Sequence, residues 1–549
     1  VKIPSQTRLI ALLSLLVFIF ASMGAVYAQD GETDVYQGTI SNRADEEFYE
    51  VDLQAGEAIL IIGEAISGNL DTYVILLAPD GTTLAENDDR DLGVITDSAL
   101  GYIATESGTY TVIMTRYPEQ ESSGNYRLEI TVGSPQILDQ LNELIVRVTL
   151  SGPEQTVDTL HFRIHFTMRG DDAVTEDYVD AVVEAVEEFY DIEINQLGWP
   201  PPPSDGTIGG DGRYDVYLAD IIGGGEGALG YASPETIVGD NPNSPNLVET
   251  SAATSYLVLD NDYEGLDYGD SVTAIGLMRT TFAHEFNHAI QFGYDAQEPH
   301  GWMYEATATW METAAAGKDQ DATGYVEYAF EYPELCFGTL SDPQDGLLQY
   351  GEWTFIQMLS DLYGPTAPAD YWSYIARFDE WDSMERFLDE RGTTVPEMFA
   401  AYRLKNLARD YRLAPNFDTT VWLEEVIDDF GSWTYTGEGV QELGANYFRL
   451  TILGAQIRAE LDNDGGTLEL WAIGVLGNEK LEAYRLNNGG VVDTAPYEDF
   501  YLMVFNPNYD NDMDECDYYD YDILVDSANG STPLTPTYIY PATFFERLN

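Results

Sequence analysis

The chain has 549 residues, too many for one ordinary core, so about two to four domains are expected. Its 96 acidic residues stand against 24 basic ones, and the formal charge of −72 at pH 7 repels nucleic acid and anionic lipid. That excludes phosphate binding over most of the surface and leaves solubility, tolerance of high salt or divalent-cation binding, with a solvated face as the plain alternative.

The first residues read as an export signal. Lys2 and Arg8 form a positive end, Leu9 to Phe20 is nearly all apolar, and Val26-Tyr27-Ala28 offers small residues for cleavage. A signal peptide over 1–28, a mature chain from Gln29 and secretion to the extracellular space are therefore expected. The apolar run is short for a membrane span, no later segment is long enough, and no cysteine near the cleavage site offers a lipid anchor. The two cysteines, Cys336 and Cys516, can pair in an oxidising compartment if the fold brings them together.

From 29 to 133, short alternating runs are cut by Gly, Asn and Asp, as an all-β sandwich requires. The pieces "LDTYVILLAPDGTTLAENDD", "SGTYTV" and "GNYRLEI" resemble the bacterial pre-peptidase C-terminal domain, a small sandwich attached to secreted peptidases. That domain usually follows its peptidase, whereas here it comes first. Asp71, Asp88 and Asp89 offer clustered carboxylates for a structural Ca2+, with acidic turn residues facing water as the alternative.

The stretch 134–416 mixes strands and helices. "DTLHFRIHFTM" and "YDVYLADI" read as strands, "EDYVDAVVEAVEEFYDI" as a helix, and three further helices are expected near Trp302, Tyr350 and Pro396. Alternation returns over 417–527 as a second sandwich-like domain, whose acidic run "YDNDMDECDYYDYD" is either a cation site or a solvated loop. A Pro- and Thr-rich tail fills 528–549. The expected fold class is multidomain α+β, with a central α+β domain flanked by two all-β domains.

Two histidine pairs four apart differ in kind. His161 and His165 alternate with Phe162 and Ile164, and on a strand their Cα atoms lie roughly 13 Å apart, too far to share one ion. His284 and His288, in "SVTAIGLMRTTFAHEFNHAIQFGYD", sit among apolar residues at helical spacing before a stop at Gly293. On a helix they share a face and can meet one zinc at about 2.0–2.1 Å, with Glu285 bordering the same cleft as general base for a zinc-activated water. A catalytic zinc keeps three protein ligands and one open position, and the next helix, "WMYEATATWME", supplies Glu305.

"HEFNH" followed by "YEATATWME" resembles the gluzincin metallopeptidases, the broad group of thermolysin and the membrane alanyl aminopeptidases. The resemblance runs from about Tyr256 to Tyr402. It implies a zincin-like fold for the central domain, zinc held by His284, His288 and Glu305, and Glu285 as base. "QYGEWTFIQMLSDLYG" is similar to the aminopeptidase helix whose tyrosine steadies the oxyanion, a role that falls on Tyr350, with His300 and Tyr304 as weaker candidates. No G-x-M-E-N motif is present to grip a free amino terminus. Thr309 stands where thermolysin-like enzymes place an aspartate behind a zinc histidine, and Glu312 is its candidate substitute.

The expected function is a secreted zinc endopeptidase acting on protein or peptide substrates, with no nucleic-acid partner and no stable membrane anchor. The alternative is an extracellular binding or adhesion protein with an inactive peptidase-like domain. The stretch "GRYDVYLADIIGGGEGALGYASPE" is expected to include the edge strand along which substrate lies.

Overall fold

The structure is a computed structural model. It describes residues 31–536 except 42–45, 80, 82, 88–89, 91–95, 105–106, 118–121, 142–146, 207, 225–227, 265–272, 318–321, 340–346, 410, 412–416, 435–438, 464–466, 477–479, 487–488 and 514–515. The export signal over 1–28 and the acids Asp88 and Asp89 lie outside the described residues. The chain forms a mixed α+β structure with several antiparallel sheets and divides into two compact units.

The first unit is the chain up to Thr149 together with Asp205–Gly212. Its strands are β1 (Gly31–Ile40), β2 (Glu47–Leu53), β3 (Ala58–Gly68), β4 (Thr72–Leu77), β5 (Thr83–Asn87), β6 (Ser98–Ile103), β7 (Gly108–Arg116) and β8 (Gly124–Gly133). They form two sheets, ordered β1-β8-β3-β6 and β2-β7-β4-β5, with all their pairs antiparallel. Alternate residues, such as Val74 and Leu76 from one sheet and Ile59 and Ile61 from the other, share one core. This unit extends past the expected boundary at 133 because Ile137 and Leu141 pack with Ala58, Leu60 and Ala99, and Ile208 joins the same cluster.

In the second unit, β9 (Glu154–Asp158), β10 (Phe162–Thr167), β11 (Tyr214–Ala219), β12 (Gly230–Gly239) and β13 (Ala252–Asp260) form one sheet ordered β12-β13-β11-β10-β9. The three middle strands are parallel and the two edges antiparallel. Every residue of β13 is buried, as in a strand covered on both faces, and its apolar run Tyr256–Leu259 is flanked by the buried polar residues Thr254, Ser255 and Asp260. The α-helices of five residues or more are α1 (Glu176–Tyr190), α2 (Ala274–Phe292), α3 (Gly301–Met311), α4 (Ala322–Glu331), α5 (Leu347–Gly351), α6 (Trp353–Tyr363), α7 (Ala367–Ile375), α8 (Glu380–Asp389) and α9 (Val395–Ala408). The helices near Trp302, Tyr350 and Pro396 are therefore joined by α4, α7 and α8, which are ten residues long or shorter and carry aromatic rings into the core. Among the described residues, no helix is long and apolar enough to cross a membrane.

The strands β14 (Glu425–Ile427), β15 (Gly431–Thr434), β16 (Ala445–Leu450), β17 (Gln456–Asp462), β18 (Glu469–Leu476), β19 (Lys480–Arg485), β20 (Val491–Asp493), β21 (Asp499–Phe505) and β22 (Asp522–Ser527) complete the same unit. They form sheets ordered β14-β16-β21-β18-β19 and β15-β22-β17-β20. The first sheet is buried on both faces. Phe448, Leu470 and Leu502 turn to Ile457 and Ile523 of the second sheet, whereas Tyr447, Trp471 and Met503 join the helical core with Trp302 and Phe355. A Cys336–Cys516 disulfide ties the segment after α4 to the acidic loop before β22.

Candidate metal centre

Helix α2 is capped at Thr273, whose side chain accepts the Gly276 N–H at 3.0 Å, and nearly all of it is buried. It ends at Gly293, where glycine is needed because a side chain would press on Asn241 and Pro203, although the φ of −73° itself needs no glycine. At the opposite edge of the site, β12 comes so near α2 that a Cβ on Gly230 would lie 2.7 Å from the Thr281 methyl and 3.4 Å from Glu285 Cγ. Glycine at 230 thus lets the sheet edge approach the helix at Glu285.

The structure brings His284, His288 and Glu305 together, with one possible ligand atom from each lying within 4.8 Å of the others. Glu305 Oε2 is 3.3 Å from His284 Nε2 and 3.6 Å from His288 Nε2. That oxygen is shielded from solvent and makes no well-formed hydrogen bond among the described residues. Glu305 projects from α3, which packs beside α2 and begins after His300, whose N–H is taken by the Glu298 carboxylate at 2.9 Å.

Both imidazoles are fixed from behind. Gln291 Nε2 donates to Asn287 Oδ1 at 2.9 Å and to the Tyr304 carbonyl at 3.1 Å, which turns Gln291 Oε1 to His288 Nδ1 at 2.8 Å. An amide oxygen only accepts, so Nδ1 carries the proton and a neutral His288 keeps its lone pair on Nε2. On His284, Nδ1 donates to Glu312 Oε1 at 2.9 Å, while Glu312 Oε2 accepts from Thr280 Oγ1 at 3.1 Å. Glu312 follows Glu305 by two helical turns and opens a π-helical turn over Glu312–Ala316, a distortion common at functional sites. Thr309 is buried, and its hydroxyl has no hydrogen-bond partner among the described residues.

Two imidazole nitrogens and one carboxylate facing one point form a group that can hold a metal ion once the proton that His284 carries in the metal-free chain is displaced. The charges of the metal-free site follow the same geometry. Burial works against a charged His284, but Glu305 and Glu312 outweigh it and push the imidazole well up. Burial would likewise raise Glu305, yet His288 and His284 prevail and hold its carboxyl far below the usual range. Burial raises Glu285, with His284 and His288 offsetting part of the rise, Glu305 adding to it and the Ala232 N–H donating to the carboxylate.

A cleft of about 510 Å³ opens over these residues, floored by His284, Glu285, His288 and Glu305 and walled by Gly230–Ala232, Phe292, Tyr304 and Tyr350. A smaller hollow of about 210 Å³ continues past Tyr350 towards Thr281, Tyr325 and Leu347. The Tyr350 ring stacks on His284 with centroids 5.8 Å apart. Burial, then the neighbouring carboxylate of Glu305, push its phenol up and keep it a proton donor. Tyr304 lines the cleft with its hydroxyl engaged by the Asp295 carbonyl at 2.6 Å. His300 is not part of the cleft lining; its ring lies against Trp381.

Other residues sort differently. His161 bonds Glu187, whereas His165 bonds Asp215 and Glu154, so the strand pair has separate partners. Gln291 and Gly230 were not singled out in the sequence. Gln291 stands three residues after His288 on one helix, a spacing that brings side chains together and was readable; the approach of Gly230 depends on sheet pairing.

No protein-family model matches the sequence, and no curated protein matches it. Several solved structures resemble parts of it. The pre-peptidase C-terminal domain of a collagenase from Bacillus anthracis shares 13% identity over 18% of this chain and 88% of that one, with a TM-score of 0.16. A functionally unknown conserved protein from Bacillus anthracis str. Ames shares 9% identity over 87% of this chain and 100% of that one, at 0.25. A metallopeptidase from Bacteroides thetaiotaomicron shares 10% identity over 68% of this chain and 61% of that one, at 0.23. The chemistry of the site follows from its own side chains.

Proposed function

We propose that this chain is a secreted zinc metallopeptidase that cleaves peptide bonds internally. Its ligands are His284, His288 and Glu305, its general base is Glu285, and Tyr350 steadies the oxyanion. The reading is supported above all by the buried Glu305 Oε2 facing the Nε2 atoms of two histidines whose Nδ1 atoms are already engaged. In this reading the peptidase chemistry belongs to the second unit, Leu150–Ser204 with Arg213–Asn549, which also carries the carboxyl-terminal β-strands, and the sequence at 1–28 directs export.

A zinc ion held there supplies Lewis-acid polarisation of the scissile carbonyl and of the attacking water. Glu285 takes a proton from that water as its oxygen bonds to the carbonyl carbon, and returns a proton to the nitrogen as the C–N bond breaks. A carboxyl raised by burial suits both transfers, because it holds a proton more readily than an ordinary carboxylate and can still give it back. The Tyr350 hydroxyl donates to the carbonyl oxygen as negative charge grows there. The free edge of β12, at Gly230–Ala232, offers backbone groups to an extended substrate.

The test is direct. Purified protein should contain about one zinc per chain and hydrolyse casein, lose activity to a chelator and regain it with zinc. A zinc-free chain that stays inert after zinc is added, yet binds a surface ligand, would favour the adhesion reading.

Two further results are expected. Because a raised His284 keeps its proton at neutral pH in the metal-free chain, zinc must displace it. Zinc affinity should therefore fall as pH falls, by about tenfold per pH unit for each proton displaced, with proton release visible in weakly buffered titrations. A flat affinity between pH 6 and 8 would contradict the charge state assigned to His284. Glu312→Ala should weaken zinc by roughly 10–100-fold, because His284 loses the acceptor that orients it. A competition titration with a chromophoric chelator measures this, and an unchanged constant would reduce Glu312 to packing.

A further inference from the structure

Glu193 does not line the cleft, yet its contacts lead to the metal centre. It follows α1 in a π-helical turn, Asp191–Gln196, and is fully buried. The other π-helical turn among the described residues opens at Glu312, the acid behind His284. Such turns interrupt the regular helical ladder and are frequent at functional sites.

The core suits this glutamate in neither of its states. As a carboxylate it is a buried charge, and burial accordingly pushes its carboxyl well up, with the Asn287 amide and the charge of His284 offsetting part of the rise. As an acid it carries a hydroxyl without an acceptor, because Oε2 faces the Asn287 amide and Oε1 has no hydrogen-bond partner among the described residues. An apolar side chain of similar volume would fill the space as well or better. Packing therefore does not explain the acid.

Its hydrogen bond does. Glu193 Oε2 accepts from Asn287 Nδ2 at 3.4 Å, Asn287 Oδ1 accepts from Gln291 Nε2 at 2.9 Å, and Gln291 Oε1 accepts from His288 Nδ1 at 2.8 Å. Each amide has one donating and one accepting end, so fixing the ends of the chain fixes the sense of every bond between them. The Tyr304 carbonyl orients Gln291, and Glu193 orients Asn287. Without an acceptor at 193, an inverted Asn287 would set its amino group against that of Gln291, and the hold on His288 would depend on the Tyr304 carbonyl alone. Asn287 and Gln291 are fully buried, so solvent does not replace the missing acceptor.

We propose that Glu193 is a positioning residue that acts through Asn287 and Gln291 to keep the His288 proton on Nδ1 and its Nε2 directed at the ion. The proposal rests on the zinc reading of the site.

Two variants of the full chain test it. Glu193→Leu removes the acceptor, whereas Glu193→Gln restores one through its amide oxygen. In a competition titration with a chromophoric chelator, Glu193→Leu should bind zinc roughly three- to tenfold more weakly, less than the roughly 10–100-fold that follows loss of a ligand's own partner, with an unfolding temperature equal to that of the wild type or above it. Glu193→Gln should bind zinc as the wild type does. With isotope-labelled histidine, of which the chain has five, the His288 Nδ1–H of the zinc-loaded protein should give a slowly exchanging magnetic-resonance signal in the wild type and in Glu193→Gln, and a faster one in Glu193→Leu. A packing role would change stability and leave that signal as it is. Unchanged zinc affinity in Glu193→Leu overturns the proposal, as does an equal loss in both variants. Should Glu193→Leu fail to fold, Glu193→Met, which keeps the length and loses the carboxyl oxygens, repeats the measurement; failure of both to fold also overturns it, because the residue would then serve the fold. A wild-type chain that takes up no zinc overturns the metal reading itself, and this proposal with it.

Discussion

Glu285→Gln is expected to lower kcat/KM for peptide hydrolysis by roughly 10²–10⁴-fold, the usual contribution of a positioned general base, while zinc content stays unchanged. The amide keeps the shape and hydrogen-bonding reach of the acid, so the buried helix around it should fold as before. It cannot take a proton from water or return one to the leaving amine. Glu285 borders the histidines and receives the Ala232 N–H, so the substitution removes a proton carrier from the floor of the cleft and little else. Steady-state kinetics beside metal analysis give the answer. Full activity in a zinc-bound Glu285→Gln protein would move the base elsewhere.

Glu305→Ala should act one step earlier, on the metal. His284 and His288 would keep their partners Glu312 and Gln291, but the carboxylate facing both Nε2 atoms would be gone. The expected loss of zinc affinity exceeds the roughly 10–100-fold that follows when only a partner behind a ligand is removed, and activity should fall with it. Comparing Glu305→Ala with Glu312→Ala in one competition titration ranks the two roles. Equal constants for Glu305→Ala and the wild type would mean that Glu305 does not bind the ion.

Much of this centre was legible because its parts are local. His284, Glu285 and His288 lie within about one turn of one helix, and Glu305 on α3 is followed two turns later by Glu312 in the π-helical turn that continues it. Helical spacing alone therefore predicts which of them can meet. Less could be read where partners are distant in sequence. The approach of Gly230 to α2 depends on the pairing of β12 with β13, and an alternating pattern does not reveal which strand lies at an edge. The same reason hid the second face of the β14-β16-β21-β18-β19 sheet, where Tyr447 and Trp471 leave their sandwich for the helical core. Helix α8 lies outside the three expected helices although its signal is readable, since Trp381, Met384, Phe387 and Leu388 follow helical spacing. Helices α4 and α7 offered less, because tyrosine and phenylalanine there serve both buried and half-buried positions.

The central claim is that two imidazoles and one carboxylate converge on a single ion and leave one position open for substrate and water. Anomalous diffraction at the zinc edge, on crystals of the full chain, tests it most directly. One peak about 2.0–2.2 Å from Nε2 of His284, Nε2 of His288 and a carboxylate oxygen of Glu305 is predicted, with no fourth protein ligand. Absence of any peak between those residues after zinc loading, or a peak from which Glu305 turns away, would contradict it.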